Sequence, residues 1–365
     1  MAVTPTYPGV YLSEEASLNF SVTSSATAIP AFVFYPRSTE NAPSDKIVRL
    51  NNWSDFFSLI GQDDSPAHYF DSMKAWFMNG GGPCYMVNRK NIVEEVPKYN
   101  DITLLVEAGA VLASQVTEKK EIYDSFVTLV QQGSSVFGLF DGTQSKIESD
   151  SSVEDIMDIY PATSRAAVFY PWGKVAWSAA PVPASVIAAI TIAKTDRTRG
   201  VWKAPANIAI SGITPNFPVS DDLQGRFNRG KALNMIRTFP DVGTVIWGTR
   251  TLEDSDNWRY IPVRRLFSMV ERDIQKALNK LVFEPNSQPT WQRVKAAIDN
   301  YLYRLWQQGA LAGNKASEAW FVDIGKDITM TEDDINQGRL IVKIGLAAVR
   351  PAEFILLQFS QDIAQ

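Results

Sequence analysis

Residues 225–232 read GRFNRGKA and come within one position of a phosphate-binding loop. The pattern G-x-x-x-x-G-K sets a lysine beside a phosphate cradled by backbone N–H groups, and the Ser or Thr that should follow ligates magnesium. Here that place holds Ala232. The loop also follows VSDDLQ, a capped helical opening, where the chemistry requires an apolar strand leading into a helix. Asp141, closing the run LFD, could imitate a strand-end carboxylate for magnesium, but it lies upstream of the loop. A plain helix-to-strand connection accounts for the same residues. His68 is the one histidine and Cys84 the one cysteine, which cannot build an ordinary zinc site. A Ser–His–Asp triad would have His68 alone to use, at the start of an amphipathic helix. Asp63 and Asp64 form one carboxylate cluster. Glu332, Asp333 and Asp334 form another, which follows Thr331 and reads as the acidic first turn of a helix. The glycines at 80–82 precede a strand and read as a helix stop, not an anion nest. No carboxylate spacing recommends glycoside or phosphate chemistry. The expectation is no enzyme, no cofactor and no metal.

A different vocabulary fills residues 243–266, GTVIWGTRTLEDSDNWRYIPVRRL. Arg250, Arg259, Arg264 and Arg265 stand there with Trp247, Trp258 and Tyr260. Arginine with aromatics recognises phosphate, stacked bases or protein. The net charge of −5 gives no support to general nucleic-acid binding. Two readings stay open: core strands whose arginines pair with carboxylates, or an interface with other copies of the chain, since Trp, Tyr and Arg dominate binding hot spots.

Charge is unevenly spread. Residues 259–315 carry ten Lys/Arg against four Asp/Glu, and residues 316–365 carry four against eight. A basic block followed by an acidic one can complement itself across a subunit contact, or consist of solvated helix faces. With 45% hydrophobic and 21% charged residues the composition is that of a globular protein of two or three domains. No apolar run is long enough to cross a membrane. The absence of Lys or Arg from the first 36 residues argues against a secretory signal, and a single cysteine suggests synthesis in a reducing cytoplasm.

The elements that must position these residues are legible in part. The opening AVTPTYPGVYLSEEASLNF reads as an extended arm with a short strand at 9–12. AFVFYP (31–36), IVRL (47–50), CYMV, VFGLFDG (136–142) and AAVFYPWG (166–173) read as buried strands. Between them, Asn51 or Asn52 caps a short helix to Ile60. Ser65 and Pro66 then open a helix with the stripe Tyr69, Phe70, Met73, Trp76 and Phe77, and further helices fall near 153–160 and over 182–196. Alternating strands and helices predict an α/β sheet with crossovers. From Val242 the rhythm changes. VIWGTRTL and WRYIPV look like strands. A long helix follows with Leu266, Val270, Ile274, Ala277, Leu278 and Leu281 on its apolar face and Arg272, Lys276 and Lys280 opposite. A second long helix is capped by Thr290 and stopped by Gly309. RLIVKIGLAAVRPAEFILLQFSQ alternates as two strands joined at Arg350 and Pro351.

Taken in order, several segments carry a family resemblance. PGVYLSEE (8–15) looks like an N-terminal arm signature, FMNGGGPCYMVN (77–88) like a helix–glycine–strand element, and TDRTRGVWKAPAN (195–207) like a helix end before a Gly-aromatic-x-Ala-Pro-Ala turn. VIWGTRTL with WRYIPVRRL, residues 283–311 and RPAEFILLQFSQ resemble a C-terminal domain in the same order. The whole chain resembles the contractile tail sheath proteins of phages, tailocins and extracellular contractile injection systems. Its length is similar to that of the short subunits related to antifeeding prophages and virulence cassettes.

The resemblance implies a mixed α/β, two-domain subunit. Residues 1–20 would be the arm, 21–255 an outer α/β sheet domain, and 256–365 an inner domain completed by the arm. It implies a helical homo-oligomer of stacked hexameric rings around an inner tube protein, which contracts to drive that tube through an envelope. Sheath paralogues, a baseplate and a tail terminator or cap would be further partners, with no nucleic acid and no membrane insertion. Assembly would be cytoplasmic, followed by release in a particle or virion tail. Arms in this family add strands to neighbouring subunits, which puts Gly9, Val10, Tyr11 and Leu12 and the alternating tail Phe354, Ile355, Leu356, Leu357, Gln358 and Phe359 forward for inter-subunit strand exchange. A C-terminal-domain helix touches the tube before firing, which makes Arg272, Lys276, Lys280, Arg293 and Lys295 the candidates for that contact. An α/β phosphohydrolase using the 225–232 loop and Asp141, and a monomeric binding module for an acidic ligand, are the alternatives.

Overall fold

Runs of apolar residues with no polar alternation demand cover on both faces, and the main sheet is built from them. The computed structural model describes residues 21–34, 46–60, 67–110 and 116–354. Its strands are β1 (Pro30–Phe34), β2 (Ile47–Leu50), β3 (Cys84–Asn88), β4 (Leu104–Val106), β5 (Phe137–Asp141), β6 (Ala166–Tyr170), β7 (Gly173–Val175), β8 (Ser178–Val182), β9 (Ile213–Pro215), β10 (Leu233–Phe239), β11 (Gly243–Trp247), β12 (Trp320–Asp323) and β13 (Lys343–Leu346). The helices are α1 (Trp53–Ile60), α2 (Ala67–Met78), α3 (Ile92–Glu95), α4 (Val116–Gln131), α5 (Val153–Met157), α6 (Ala184–Arg199), α7 (Asp221–Arg226), α8 (Ile261–Leu278), α9 (Gln288–Gln307), α10 (Ala316–Ala319) and α11 (Glu332–Asn336).

Eight strands form one sheet in the order β11-β10-β6-β5-β4-β1-β3-β2. The six inner strands run parallel, and β2 and β11 close the two edges antiparallel. All residues of β1, β5 and β6 are buried, as cover on both faces requires. One face packs Phe32, Phe34, Leu139 and Phe169 against Met73 and Trp76 of α2 and Val186, Ile187 and Ile190 of α6. The other packs Val33, Phe140 and Val168 against Ile122, Tyr123, Phe126 and Leu129 of α4. Fully burying one such side chain contributes about 1.5–3 kcal/mol. Trp76, 0% exposed and edge-on to Phe32, is the side chain whose truncation would most damage the first layer. A small sheet, β8-β7-β9, stands beside the main one.

A third core lies apart from the sheet. It joins Leu266, Val270, Ile274 and Ala277 of α8 to Val294, Ile298, Tyr301, Leu302 and Leu305 of α9, with Val322 on β12. Leu278 and Leu281 are half-buried against it. Val22 and Val201 belong to this core although both precede α8 by more than a full helix in the sequence. The strands β12 and β13 pair antiparallel here.

Several expectations change. WRYIPV forms no strand: Tyr260 makes an isolated bridge to Arg250, and α8 begins at once, because Pro262 has no N–H to give a ladder and suits a first helical turn. Thr290 does not cap α9. The helix starts at Gln288 after Ser287, with Pro289 in its first turn and Thr290 buried inside it. In the terminal region the strand is short, Lys343–Leu346, and pairs upstream with β12. The cap of α1 is Asn52, whose Oδ1 accepts from Asp55 N at 3.0 Å. Gly9, Val10, Tyr11, Leu12, Asp63, Asp64, Ser65, Pro66 and Ile355, Leu356, Leu357, Gln358 and Phe359 lie outside the described residues, as does the side chain of His68.

Candidate assembly site

The first turn of α8 carries two arginines on its buried side, Arg264 and Arg265. A buried guanidinium needs a carboxylate and further acceptors, or it would not stay charged there without large cost. Arg265, 4% exposed at its side chain, meets Asp196 in the last turns of α6 as a fork: Nη1 to Oδ1 at 2.9 Å and Nη2 to Oδ2 at 2.6 Å. The same Nη2 donates to the carbonyl of Thr27 at 2.9 Å, and the Thr27 hydroxyl donates to Asp196 at 2.6 Å. Two turns further along α8, Asp273 is 1% exposed. It accepts from Ser25 N at 3.1 Å, from the Ser25 hydroxyl, and from the Tyr301 hydroxyl of α9 at 2.7 Å. Arg272 donates to Ala26 O at 2.9 Å and to the Ser25 hydroxyl at 3.2 Å. Arg304 of α9 donates to Val22 O at 2.8 Å. Residues 22–27 are therefore tied to the two long helices group by group. Burial, then Asp273, pushes the Tyr301 hydroxyl up, so it stays a donor.

The other chain-terminal segment is held the same way. Arg250 Nε lies 3.0 Å from Glu353 Oε1, and its Nη2 lies 2.7 Å from Oε2. Its Nη1 donates to Asn228 O at 2.6 Å, and Tyr260 OH donates to Glu353 at 3.3 Å. The backbone N–H of Arg250 donates to the buried Asn234, which fixes the backbone from which the arginine reaches Glu353. The next residue, Phe354, is 70% exposed.

The arginine-rich stretch thus pairs within its own chain. Arg259 pairs with Asp254 and Asp256. Arg264 lies 4.4 Å from the ring centre of Trp258 and bonds Glu271 at 2.8 Å. Of the two open readings, pairing with carboxylates describes these four arginines. Arg265 and Arg250 are the two that grip the terminal segments. Sequence reasoning missed Asp196, Asp273 and Glu353; the one signal available was buried-type helix positions occupied by Arg and Asp.

Of the basic residues picked for a tube contact, Arg272 is half-buried and engaged with residues 25–26. Lys276 on α8 and Lys280 just after it are exposed, as are Arg293 and Lys295 on α9.

The near-phosphate loop is otherwise occupied. Lys231 Nζ donates to Tyr160 O at 2.6 Å and reaches the carbonyls of Met157 and Asp158, so it caps the end of α5. Gly230 N donates to Asp254, so a carboxylate stands where a phosphate would have to. Asp141, 0% exposed, caps the start of α6 through Ser185 N at 2.7 Å and takes Gly109 N at 2.8 Å. Burial first, then the carboxylate of Glu107, pushes Asp141 up to about 7, while Lys119, 3.3 Å from Glu107, opposes that rise. Burial also pushes the Cys84 thiol far up, which leaves it unreactive. Among the described residues no group of His, Cys, Asp or Glu is placed to hold a metal, and no helix is long and apolar enough to cross a membrane.

Residues 253–362 match the phage tail sheath C-terminal domain family. No curated protein sequence matches the chain. Among solved structures, the sheath complex of an extracellular contractile injection system, PVC, in its contracted state is 48% identical, with a TM-score of 0.89 over 99% of each chain. A chain in the contracted baseplate structure of the anti-feeding prophage is 59% identical, with a TM-score of 0.88 over 98% of this chain and 99% of that one. The anti-feeding prophage helical sheath in its contracted state is 44% identical, with a TM-score of 0.82 over 98% and 100%. At these identities over the full length, the chain belongs to the contractile tail sheath proteins, with relatives in extracellular contractile injection systems.

Proposed function

We propose that the chain polymerises as stacked six-subunit rings around an inner tube, with neighbours linked by exchanged terminal strands, and shortens to drive that tube through a target envelope. The observation that carries this is the pair of anchors: residues 22–27 and Glu353, next to the two terminal segments, are each fixed by hydrogen bonds from arginine side chains. A segment meant to add a strand to another subunit needs a firm root, since its main-chain bonds transmit whatever displaces it. Residues 9–12 and 354–359 are the exchanged segments, the body at 256–365 with the arm faces the tube, and the sheet body at 21–255 faces outward. Lys276, Lys280 and Arg293 contact the tube protein. Exposed ion pairs of this kind are weak and screened by salt, which suits a contact that must release. During contraction the strand joints persist and the ring surfaces repack between two packings. No nucleotide is consumed, no cofactor is held and nucleic acid is not a partner. Paralogous sheath subunits, baseplate and terminator proteins join the same lattice, which assembles in the cytoplasm and leaves in a released particle.

Negative-stain microscopy of the full chain and of a variant lacking residues 1–12 tests this. Striated hollow tubes from the first and none from the second are expected. Monomers from both at high concentration would overturn the reading. Lys276→Glu with Lys280→Glu should leave self-assembly intact and loosen the sheath from its tube.

A further inference from the structure

The turn between α8 and α9 presents two large apolar side chains to solvent, Val282 at 57% and Phe283 at 101% exposure. Phe283 also has a φ of +78°, a conformation an L-residue with a large side chain adopts only when its surroundings impose it. An exposed aromatic held out on a strained turn contributes nothing to its own chain's core, and such surfaces mark contacts with partners. At the start of α9 and the turn after β12 lies a cleft of about 320 Å³, lined by the apolar Trp291, Ile324 and the exposed Ile328 and by Gln288, Lys295 and Lys326. Its size is that of a small binding pocket. Lys295 has no ion-pair partner among the described residues, and neither has Glu284, which directly follows Phe283. The turn is an apolar knob with an acid beside it; the cleft is an apolar hole with a base beside it.

We propose that Phe283 of one copy docks into the Trp291–Ile328 cleft of a second copy, with Glu284 meeting Lys295. Knob and hole are different patches of one surface, so the contact is heterologous and repeats into a ring or helix without pairing off into closed dimers. It rests on the reading of the chain as a sheath subunit, and adds a side-chain contact separate from the terminal strands. The aromatic supplies a buried anchor and the ion pair sets orientation.

Both positions are exposed, so substitution there leaves the fold intact. Full-length Phe283→Cys and Ile328→Cys variants are mixed and oxidised, and each is also oxidised alone; the native Cys84 is buried. A disulfide-linked dimer formed in the mixture, and in neither variant alone, is expected. The critical concentration for tube formation should rise about tenfold for Phe283→Ser. Glu284→Lys should weaken assembly and Lys295→Glu should restore it in the double variant. Tubes without the mixed cross-link would overturn the contact while leaving the sheath reading, and would assign Phe283 to another partner such as the tube protein. The cross-link without tubes would uphold the contact and overturn the sheath reading.

Discussion

Arg250 and Glu353 face each other as a fork and a carboxylate, with Nε to Oε1 at 3.0 Å and Nη2 to Oε2 at 2.7 Å, across 103 residues of sequence. Only 11% and 16% of the two side chains is exposed, so the pair is largely shielded from solvent and salt. Hydrogen bonds to charged groups of this kind are worth roughly 1.5–3 kcal/mol. Arg250→Ala should lower unfolding stability by about 2 kcal/mol in urea. Glu353→Gln should affect stability less, yet reduce tube formation, because it releases the root of the terminal segment. Equal loss of stability in both variants would count against a separate anchoring role.

Asp196 and Arg265 form a deeply buried pair, at 6% and 4% exposure. Removing one partner strands the other, at a cost of about 3–5 kcal/mol. Asp196→Ala should approach that loss. The double change Asp196→Leu with Arg265→Met should recover most of it, since two apolar groups leave no charge unpaired. A double-mutant cycle read by urea unfolding checks the recovery.

Asp141 gives a pH dependence with a definite sign. Its folded value is raised, to about 7 from 3.8, so between those values the folded chain holds a proton that the unfolded chain has released. Stability therefore falls as pH rises through the window from about 4 to 7, by at most about 1.4 kcal/mol per pH unit. Asp141→Asn should flatten that slope even though it weakens the cap on α6. Urea midpoints taken across the window decide it, and a slope retained in the variant would assign the proton elsewhere.

Lys231 offers a test of the phosphate-loop alternative. Its ammonium is engaged with three carbonyls at the end of α5. Lys231→Ala should cost about 1–2 kcal/mol of stability and change no nucleotide-dependent property. Nucleotide turnover lost with this lysine would overturn the assignment.

The strands β1, β5 and β6 were legible because they are apolar on both faces, and the helical stripe at Tyr69, Met73 and Trp76 because its period is unambiguous. The fold of 89–135 was not read, although Ile122, Phe126 and Leu129 in α4 repeat at helical spacing. WRYIPV misled because its β-propensity is real, while Pro262 and the core contacts of α8 decide the local structure. For the anchors, composition gave the arginines, but Asp196 and Glu353 lie 69 and 103 residues from the arginines they hold and Asp273 lies 248 residues from Ser25, and no local pattern encodes such distances. Arg272 looked like a solvent-facing base from its spacing alone, and only tertiary contacts with Ser25 and Ala26 show it engaged.

Both terminal segments are tied to one short stretch, through Arg265 at the start of α8 and through Arg250 bridged to Tyr260 just before it. Under the proposed strand exchange, a pull entering at Thr27 and resisted at Glu353 would cross the molecule through that stretch, with most of the eight-stranded sheet beside the line of tension. In mechanical terms such a subunit would be a knot on a cord with a bead attached. Enlarging the bead, for example by inserting a peptide in the turn at 240–242, would thicken the coat of a tube and leave its tensile stiffness unchanged.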